Sequence, residues 1–222
     1  MRNSIGITTA AALAVAAATL AACAGKGEGP VMGHWTPAPP GASWQVAQRN
    51  TGSFGQDAQL TWTREEMRWR GAPAIALKSS LGTTLVVEPV GGRSITVLGP
   101  EGRPVTTWDP PVGWVYPLKV GKGWSQHQRL TLHASGRTLE FDSTCNVEDF
   151  EKVTVRAGTF DAFRIHCTST AGSDELYWAS PGLGSFVKTQ LRREPGNPLG
   201  AGTQLQELVS VPALRQHVAA NR

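Results

Sequence analysis

The stretch from Leu139 to Cys167 constrains the fold most, because it contains two apolar strand patterns with one cysteine in each. A turn at Arg156–Thr159 joins the two patterns. Successive strand side chains point to opposite faces, and each cysteine shares its face with apolar neighbours. Folding about the turn brings Cys145 within a few residues of Cys167, and a bulge within Glu148–Lys152 would close the remaining offset. The sequence therefore predicts a Cys145–Cys167 disulfide on the apolar side of a central hairpin.

The first segment of the chain has the pattern of an export signal. Residues 1–22 combine a basic start with an alanine-rich apolar run that is short for a membrane span. The sequence LAAC at residues 20–23 resembles the bacterial lipobox, whose cysteine is acylated and becomes the new N-terminus. The resemblance implies lipidation of Cys23, and Ala24 after it implies the outer membrane. The alternative is a cleaved signal with an incidental cysteine, which would leave an unpaired thiol on an exported chain.

Composition divides the rest of the chain. Residues 23–42 are rich in glycine, proline and small polar residues, which predicts a mobile tether behind the acylated cysteine. Residues 43–211 suit a single β-rich domain, and residues 212–222 form a C-terminal tail. The proline-rich segment 109–114 is where a subdivision would fall, but a long loop is preferred because neither side offers much core alone.

Glycine and proline punctuate the chain too often for long helices, with 25 and 15 of 222 residues. No run after the signal shows apolar residues at helical spacing, whereas short alternating segments are frequent. The predicted fold class is all-β: a curved antiparallel meander, half-barrel or sandwich-like, with no long helices after the signal peptide. The predicted strand segments are 43–50, 59–64, 74–79, 83–88, 94–98, 126–133, 137–145, 153–155, 160–169, 175–179, 186–192 and 204–211.

Charge argues against a nucleic-acid partner. The formal net charge is +4, and basic residues alternate with acidic ones, as in residues 64–70. A nucleic-acid interface would need a basic stripe with stacking aromatic side chains. No nucleic acid is therefore predicted among the partners.

The sequence contains no familiar catalytic or metal-binding motif: HExxH, GxSxG, the P-loop and GxGxxG are all missing from it. His127 and His133 share one face of a predicted strand but would lie roughly 20 Å apart. His166 stands beside Cys167, whose sulfur the disulfide would occupy. The acids at 148–151 lack a calcium-loop pattern and favour a solvated sheet edge. We therefore expect no enzyme, no cofactor and no metal site.

Segments of the second half carry a family resemblance. They are YPLKVGKGW at 116–124, VTVRAGTFDAF at 153–163 and YWASPGLGSFVK at 177–188, followed by QELVS at 206–210. Together they resemble a group of exported bacterial β-rich domains, many of them lipoproteins, with no assigned activity. The likeness covers residues 110–211 and implies a long, curved antiparallel sheet, distantly similar to the half-barrels of lipoprotein carriers. Those carriers cover the concave face with helices, which this sequence lacks.

Three of the eight tryptophans are the candidate ligand-binding residues. Trp114, Trp124 and Trp178 fall in or beside the motifs, and they are large enough to close a small curved core. Amphipathic rings of this kind commonly pack where a sheet meets water. The alternative is a platform on which a sugar or a lipid binds.

Three functions are consistent with the sequence. The lipobox and the tether favour a membrane-anchored lipoprotein that acts as a non-catalytic structural or interaction module, on the periplasmic face of the outer membrane. Its partners would be the membrane, through acyl chains on Cys23, and an envelope protein, lipid or glycan. The alternative is a binder of an apolar or glycan ligand in the concave face of the sheet, which a deep unfilled groove would favour. The third is a hydrolase, which needs converging carboxylates or histidines.

Overall fold

The computed structural model describes residues 29–214. Within that range the chain forms twelve strands and one short 3-10 helix, Gly52–Phe54. The strands are β1 (Ala42–Asn50), β2 (Ala58–Trp69), β3 (Ala72–Ser79), β4 (Thr84–Val87), β5 (Ser94–Leu98), β6 (Pro104–Val112), β7 (Gly123–Leu132), β8 (Arg137–Val155), β9 (Gly158–Ser169), β10 (Ser173–Ala179), β11 (Phe186–Arg193) and β12 (Gly202–Leu214).

Every strand pairs antiparallel with its neighbours in the chain, so the prediction of an all-β antiparallel meander is confirmed. The curvature continues until the sheet closes, because β1 pairs with β12 from Ala42 to Asn50. Closure removes the two open edges that a half-barrel or sandwich would expose. The strand segments thus enclose an interior.

The two ends of the barrel differ in what crosses them. At one end lie the start of β1, the β4–β5 turn, the β6–β7 connection and the β10–β11 turn. Residues 30–41, which we name the strap, run across this end before β1 begins. We call it the strap end, and the other end, which holds the 3-10 helix and the β11–β12 connection, the far end.

The hairpin of β8 and β9 carries the disulfide. Cys145 and Cys167 are direct cross-strand partners, and their sulfur atoms are bonded. The register shifts between Val147 and Asp149, so Glu148 lies in the bulge that the sequence predicts. Beyond the bulge the hairpin reaches β12, where the Ala157 N–H donates to the Leu208 carbonyl at 3.1 Å.

Strand β6 was not among the predicted strands, because it contains Pro104, Pro110 and Pro111. Proline removes a ladder donor and normally argues against a strand. The barrel tolerates these prolines because β6 pairs with β7 over three residues that include no proline, Thr106–Trp108 with Leu130–Leu132. The segment 109–114, expected as a loop, thus continues β6 as far as Val112.

The strap corrects the expectation that residues 23–42 are a mobile tether throughout. Met32 and Leu118 exchange two backbone hydrogen bonds of 2.9 Å, and both side chains are buried. A Cβ on Gly92 would come within 2.7 Å of the Trp35 ring, and one on Gly184 would meet the backbone of Ala38. The strap therefore packs on the barrel by close contact with small residues, which composition alone does not reveal.

Residues 1–28 and 215–222 lie outside the described residues. The predicted signal peptide, the lipidation of Cys23 and most of the C-terminal tail fall there. Within 29–214, no helix is long and apolar enough to cross a membrane.

Candidate ligand-binding cavity

The barrel encloses a cavity of about 520 Å³. This volume lies within the range of roughly 300–1,000 Å³ that is usual for small-molecule sites. One side of the cavity is apolar and rich in aromatic rings, contributed mainly by the N-terminal half of the chain. Its main residues are Trp44, Trp62, Leu77, Leu85, Trp108 and Leu130.

Polar groups enter the cavity from strands β7 and β10–β12, because alternate residues of these strands face inward. They are the amide, carboxyl, phenol and guanidinium groups of Gln126, Gln128, Glu175, Tyr177, Arg193 and Gln204. The same strands also contribute apolar side chains, such as Leu130, Leu191 and Leu208. The cavity is therefore amphipathic, with its hydrogen-bonding groups concentrated on strands other than β1–β4.

Glu175 and Tyr177 form a hydrogen-bonded polar pair in the cavity. They lie two residues apart on β10, and the Tyr177 hydroxyl donates a hydrogen bond to the Glu175 carboxylate. Burial raises the pKa of Glu175 against the opposing effect of that hydrogen bond. Burial and the neighbouring carboxylate raise the pKa of Tyr177 well above its ordinary value. Both side chains keep some exposed surface only because they face the cavity.

Arg193 extends these polar groups to the far end. Its guanidinium lies 4.2 Å from the centre of the Phe54 ring, so the side chain is held by a cation–π contact. Burial lowers the pKa of Arg193, but arginine stays charged at any physiological pH. The cavity therefore contains a fixed positive charge.

An aromatic cluster and the strap cover the strap end of the cavity. The Trp114 ring centre lies 6.0 Å from that of Tyr177 and 4.9 Å from that of Phe186, both with edge contacts. Met32 and Trp35 of the strap also line the cavity. Access from this end thus requires the strap or the aromatic rings to move.

The wall is incompletely hydrogen-bonded beside the strap end. After Trp108, β6 has no ladder pairing with β7 among the described residues, and only the Gln126 side chain reaches across, to the Gly113 N–H at 3.5 Å. The hydrogen-bond ladder between β6 and β7 therefore ends before the strap end.

Exposed apolar side chains concentrate at the strap end. Most of the large exposed hydrophobic residues of the described chain lie in the strap, in the turns of this end or at the first residue of β11, and they form what we call the apolar rim. These residues are Val31, Val90, Val115, Val120 and Phe186. At the far end, the large exposed hydrophobic residues of the described chain are Leu81 and Val105.

The three tryptophans predicted as ligand-binding residues have different positions. Trp114 lines the cavity at the strap end. Trp124 packs beside the disulfide cluster, and its indole N–H is buried with no partner among the described residues. Trp178 lies off the cavity: it is packed against Val153 and Ala162 and donates to Glu151 at 2.7 Å. For Trp178 the structure shows a packing role.

The residues considered for catalysis or metal binding are engaged in pairs on the face opposite the cavity. Glu148 contacts Arg164 at 3.1 Å and His166 at 3.0 Å, so the acidic cluster is charge-paired. His127 contacts Asp142, whereas His133 contacts Thr107. Within residues 29–214 no three metal-ligating side chains come together.

Sequence reasoning did not single out Trp44, Trp62, Glu175 or Arg193. The sequence could have indicated Glu175, because it lies at alternate positions with Tyr177 and Ala179 on a predicted strand and therefore points to the same face. Trp44 and Trp62 are direct partners on β1 and β2, whereas Arg193 on β11 shares their cavity only because β1 meets β12 and the barrel closes.

Comparisons with known proteins were made for the whole chain. No family model and no curated protein sequence matches it. Three solved structures are similar in part. The hypothetical lipoprotein YmcC from Escherichia coli has 13% identity and a TM-score of 0.43, over 76% of this chain and 84% of that chain. A candidate lipoprotein from Parabacteroides distasonis has 12% identity and a TM-score of 0.38, over 81% of this chain and 99% of that chain.

The third similar structure is a candidate exported protein with a YmcC-like fold from Bacteroides fragilis. It has 8% identity and a TM-score of 0.39, over 81% of this chain and 99% of that chain. TM-scores this low establish neither a shared fold nor a shared function.

Proposed function

We propose that the chain is a lipid-anchored, non-catalytic protein of the bacterial cell envelope that binds an amphiphilic, lipid-like molecule inside its barrel. The observation that carries the proposal is the cavity, with its aromatic wall and its hydrogen-bonding groups. A purely structural module needs no such space, because protein interiors normally close to the density of a crystal. The binding hypothesis therefore takes precedence over the interaction module.

The envelope setting rests on the sequence. The lipobox at residues 20–23 supports acylation of Cys23, export and a membrane partner, with the periplasmic face of the outer membrane as the compartment. Cys23 lies six positions before Gly29, which is at most about 22 Å of extended chain. An acylated Cys23 would therefore hold the strap end near the lipid surface, where the apolar rim can contact it.

The amphiphile is favoured over a glycan by the makeup of the cavity. Trp44 is buried, and Trp62, Leu77 and Leu85 continue the apolar surface around it without a charged group. Sugars need hydrogen-bonding partners on most of their edges, whereas an acyl chain needs none. The polar groups of β7 and β10–β12 then meet only the head of the ligand.

Native mass spectrometry of the exported chain from residue 23, carrying Cys23→Ser to prevent acylation, tests the proposal. We expect a co-purified or added fatty acid to remain bound at one molecule per chain. Trp62→Ala removes an aromatic face of the cavity and should reduce the bound fraction severalfold. Trp69→Ala on the same strand is the matched control, because Trp69 does not line the cavity.

Two results would contradict the proposal. One is a bare chain that retains no added amphiphile. The other is a co-purified glycan that displaces the fatty acid, which would assign the cavity to sugars.

A further inference from the structure

Four charged residues border the cavity, and only two of them are paired. Lys188 and Glu207 lie opposite each other on β11 and β12, and their charged groups are 3.5 Å apart. Glu175 and Arg193 face the cavity without an ion pair between them or to any other side chain in residues 29–214. Arg193 is half-buried at the cavity, and packing does not explain why it has no ion pair among the described residues.

The neighbouring Arg192 shows what a structural arginine looks like in this barrel. It faces the opposite side of β11, where its guanidinium lies 3.2 Å from Asp174 and 3.7 Å from Glu194. Arg193 has no carboxylate within such reach and makes no side-chain hydrogen bond within the described part of the chain. Its five N–H donors are therefore unused.

The Phe54 ring orients these unused donors. A guanidinium stacked on an aromatic face keeps its N–H groups in the plane of the stack, where a carboxylate or phosphate can accept two of them. The residues in register beside Arg193 are Ser173 on β10 and Gly202 on β12, and Gly202 lets the 3-10 helix with Phe54 pack closely against β12.

Glu175 lies near enough to raise the pKa of Arg193 against the effect of burial, but its carboxylate accepts the hydrogen bond of Tyr177 and forms no ion pair with Arg193 among the described residues. The guanidinium of Arg193 therefore keeps donors that can bind a ligand at the far end of the cavity.

We propose that Arg193 binds the anionic group of the ligand, and that the ligand is an acyl amphiphile with a carboxylate or phosphate head. The acyl chain lies along the tryptophan wall, and the head lies at the far end against Arg193. This inference rests on the proposed function and adds the chemical class of the ligand.

The test compares two ligands that share one chain, palmitate and hexadecanol, on the exported Cys23→Ser chain. We expect Arg193→Gln to weaken palmitate binding by about tenfold or more, since charge-assisted hydrogen bonds are lost. Hexadecanol binding should change less than about twofold, because its hydroxyl needs no cation. Arg193→Lys should restore part of the palmitate affinity, and Arg192→Gln, the matched control on the other face, should leave both affinities unchanged.

Each contrary result has a distinct meaning. If neither ligand binds any variant, the proposed function itself fails. If Arg193→Gln weakens both ligands equally, or neither, the proposed function stands and the role of Arg193 as head-group partner is overturned. If inorganic phosphate alone binds as tightly as palmitate, the site is one for a free anion and the amphiphile is overturned as its ligand.

Discussion

The two tyrosines of the chain show how the barrel alters individual side chains. Burial raises the pKa of Tyr116 from 10.0 to about 12, and it raises the pKa of Tyr177 well above its ordinary value. No other tyrosine is present in the sequence. The phenolate absorbance of the folded protein therefore reports on these two positions alone.

We expect almost no phenolate absorbance at pH 10 in the folded protein, whereas the unfolded chain is half ionised there. Since the folded pKa values are raised, this contribution to stability is complete below pH 10 and is lost as the pH rises from 10 towards 12. A spectrophotometric alkaline titration, with Tyr116→Phe to separate the two groups, measures this. Normal titration of both phenols at pH 10 would contradict their burial.

The disulfide is the second feature at the residue scale. Cys145 and Cys167 lie 22 residues apart, and a cross-link over a loop of this length stabilises the fold by roughly 3–4 kcal/mol in the chain-entropy model. We expect the Cys145→Ser, Cys167→Ser chain to melt roughly 10 °C lower. Membrane attachment should be unaffected, because it depends on Cys23.

The double alanine variant controls for the buried hydroxyls of the double serine variant. A melting temperature equal to that of the unmodified chain in both variants would rule out a stabilising cross-link.

At the scale of elements, the strap is the part most suited to control access. It is held to the barrel at three places: the Met32–Leu118 bridge within the disulfide cluster, the Trp35 ring on Gly92, and the buried Ala38 beside Gly184. The Met32–Leu118 bridge is isolated, so the strap lacks the continuous hydrogen-bond ladder that holds each barrel strand. Opening of the strap would expose the cavity at the end where the apolar rim lies.

A disulfide staple tests the role of the strap. Met32 and Leu118 form a hydrogen-bonded antiparallel pair, whose Cα separation of about 5.5 Å suits a disulfide. We expect Met32→Cys, Leu118→Cys to slow the release of a bound fatty acid at least severalfold when oxidised, as measured by stopped-flow displacement. Reduction should restore the original rate.

The unstapled chain under the same reductant controls for the native disulfide. Equal release rates in the oxidised and reduced forms would show that the ligand does not pass the strap.

The elements also show where sequence patterns suffice. The β8–β9 hairpin could be predicted because strand parity, the turn at Gly158 and the bulge are local properties. Strand β6 could not, because its three prolines break the local rule and only its place between β5 and β7 makes it a strand. The glycine- and proline-rich composition of the strap predicts a tether, because composition does not reveal that Ala38 and Met32 are buried.

At the scale of the whole molecule, closure of the barrel creates the candidate site. Leu85 and Arg193 are far apart in the sequence, and so are Trp44 and Leu130, yet each pair borders one interior. No sequence pattern encodes which inward-facing side chains converge, because convergence depends on the register of every strand between them. The fold class could therefore be predicted, whereas the composition of the cavity could not.

The polarity of the molecule follows from the same closure. The apolar rim and the strap occupy one end, and Arg193 lies towards the other. A ligand that enters from the membrane side would pass the apolar rim first. Among the described residues that line the cavity, Arg193 is the cation without an ion pair, and it lies at the far end. The two ends of the barrel thus differ in polarity.

The most direct test of acyl-chain binding inside the barrel is quenching of tryptophan fluorescence by a fatty acid brominated on its acyl chain. Five of the eight tryptophans line the cavity, namely Trp35, Trp44, Trp62, Trp108 and Trp114, and bromine quenches only the rings that it contacts. We expect strong, saturable quenching that is complete at one ligand per chain and is reversed by unbrominated palmitate. Weak quenching that rises linearly without saturation would show that no acyl chain enters the barrel, and it would contradict the central claim.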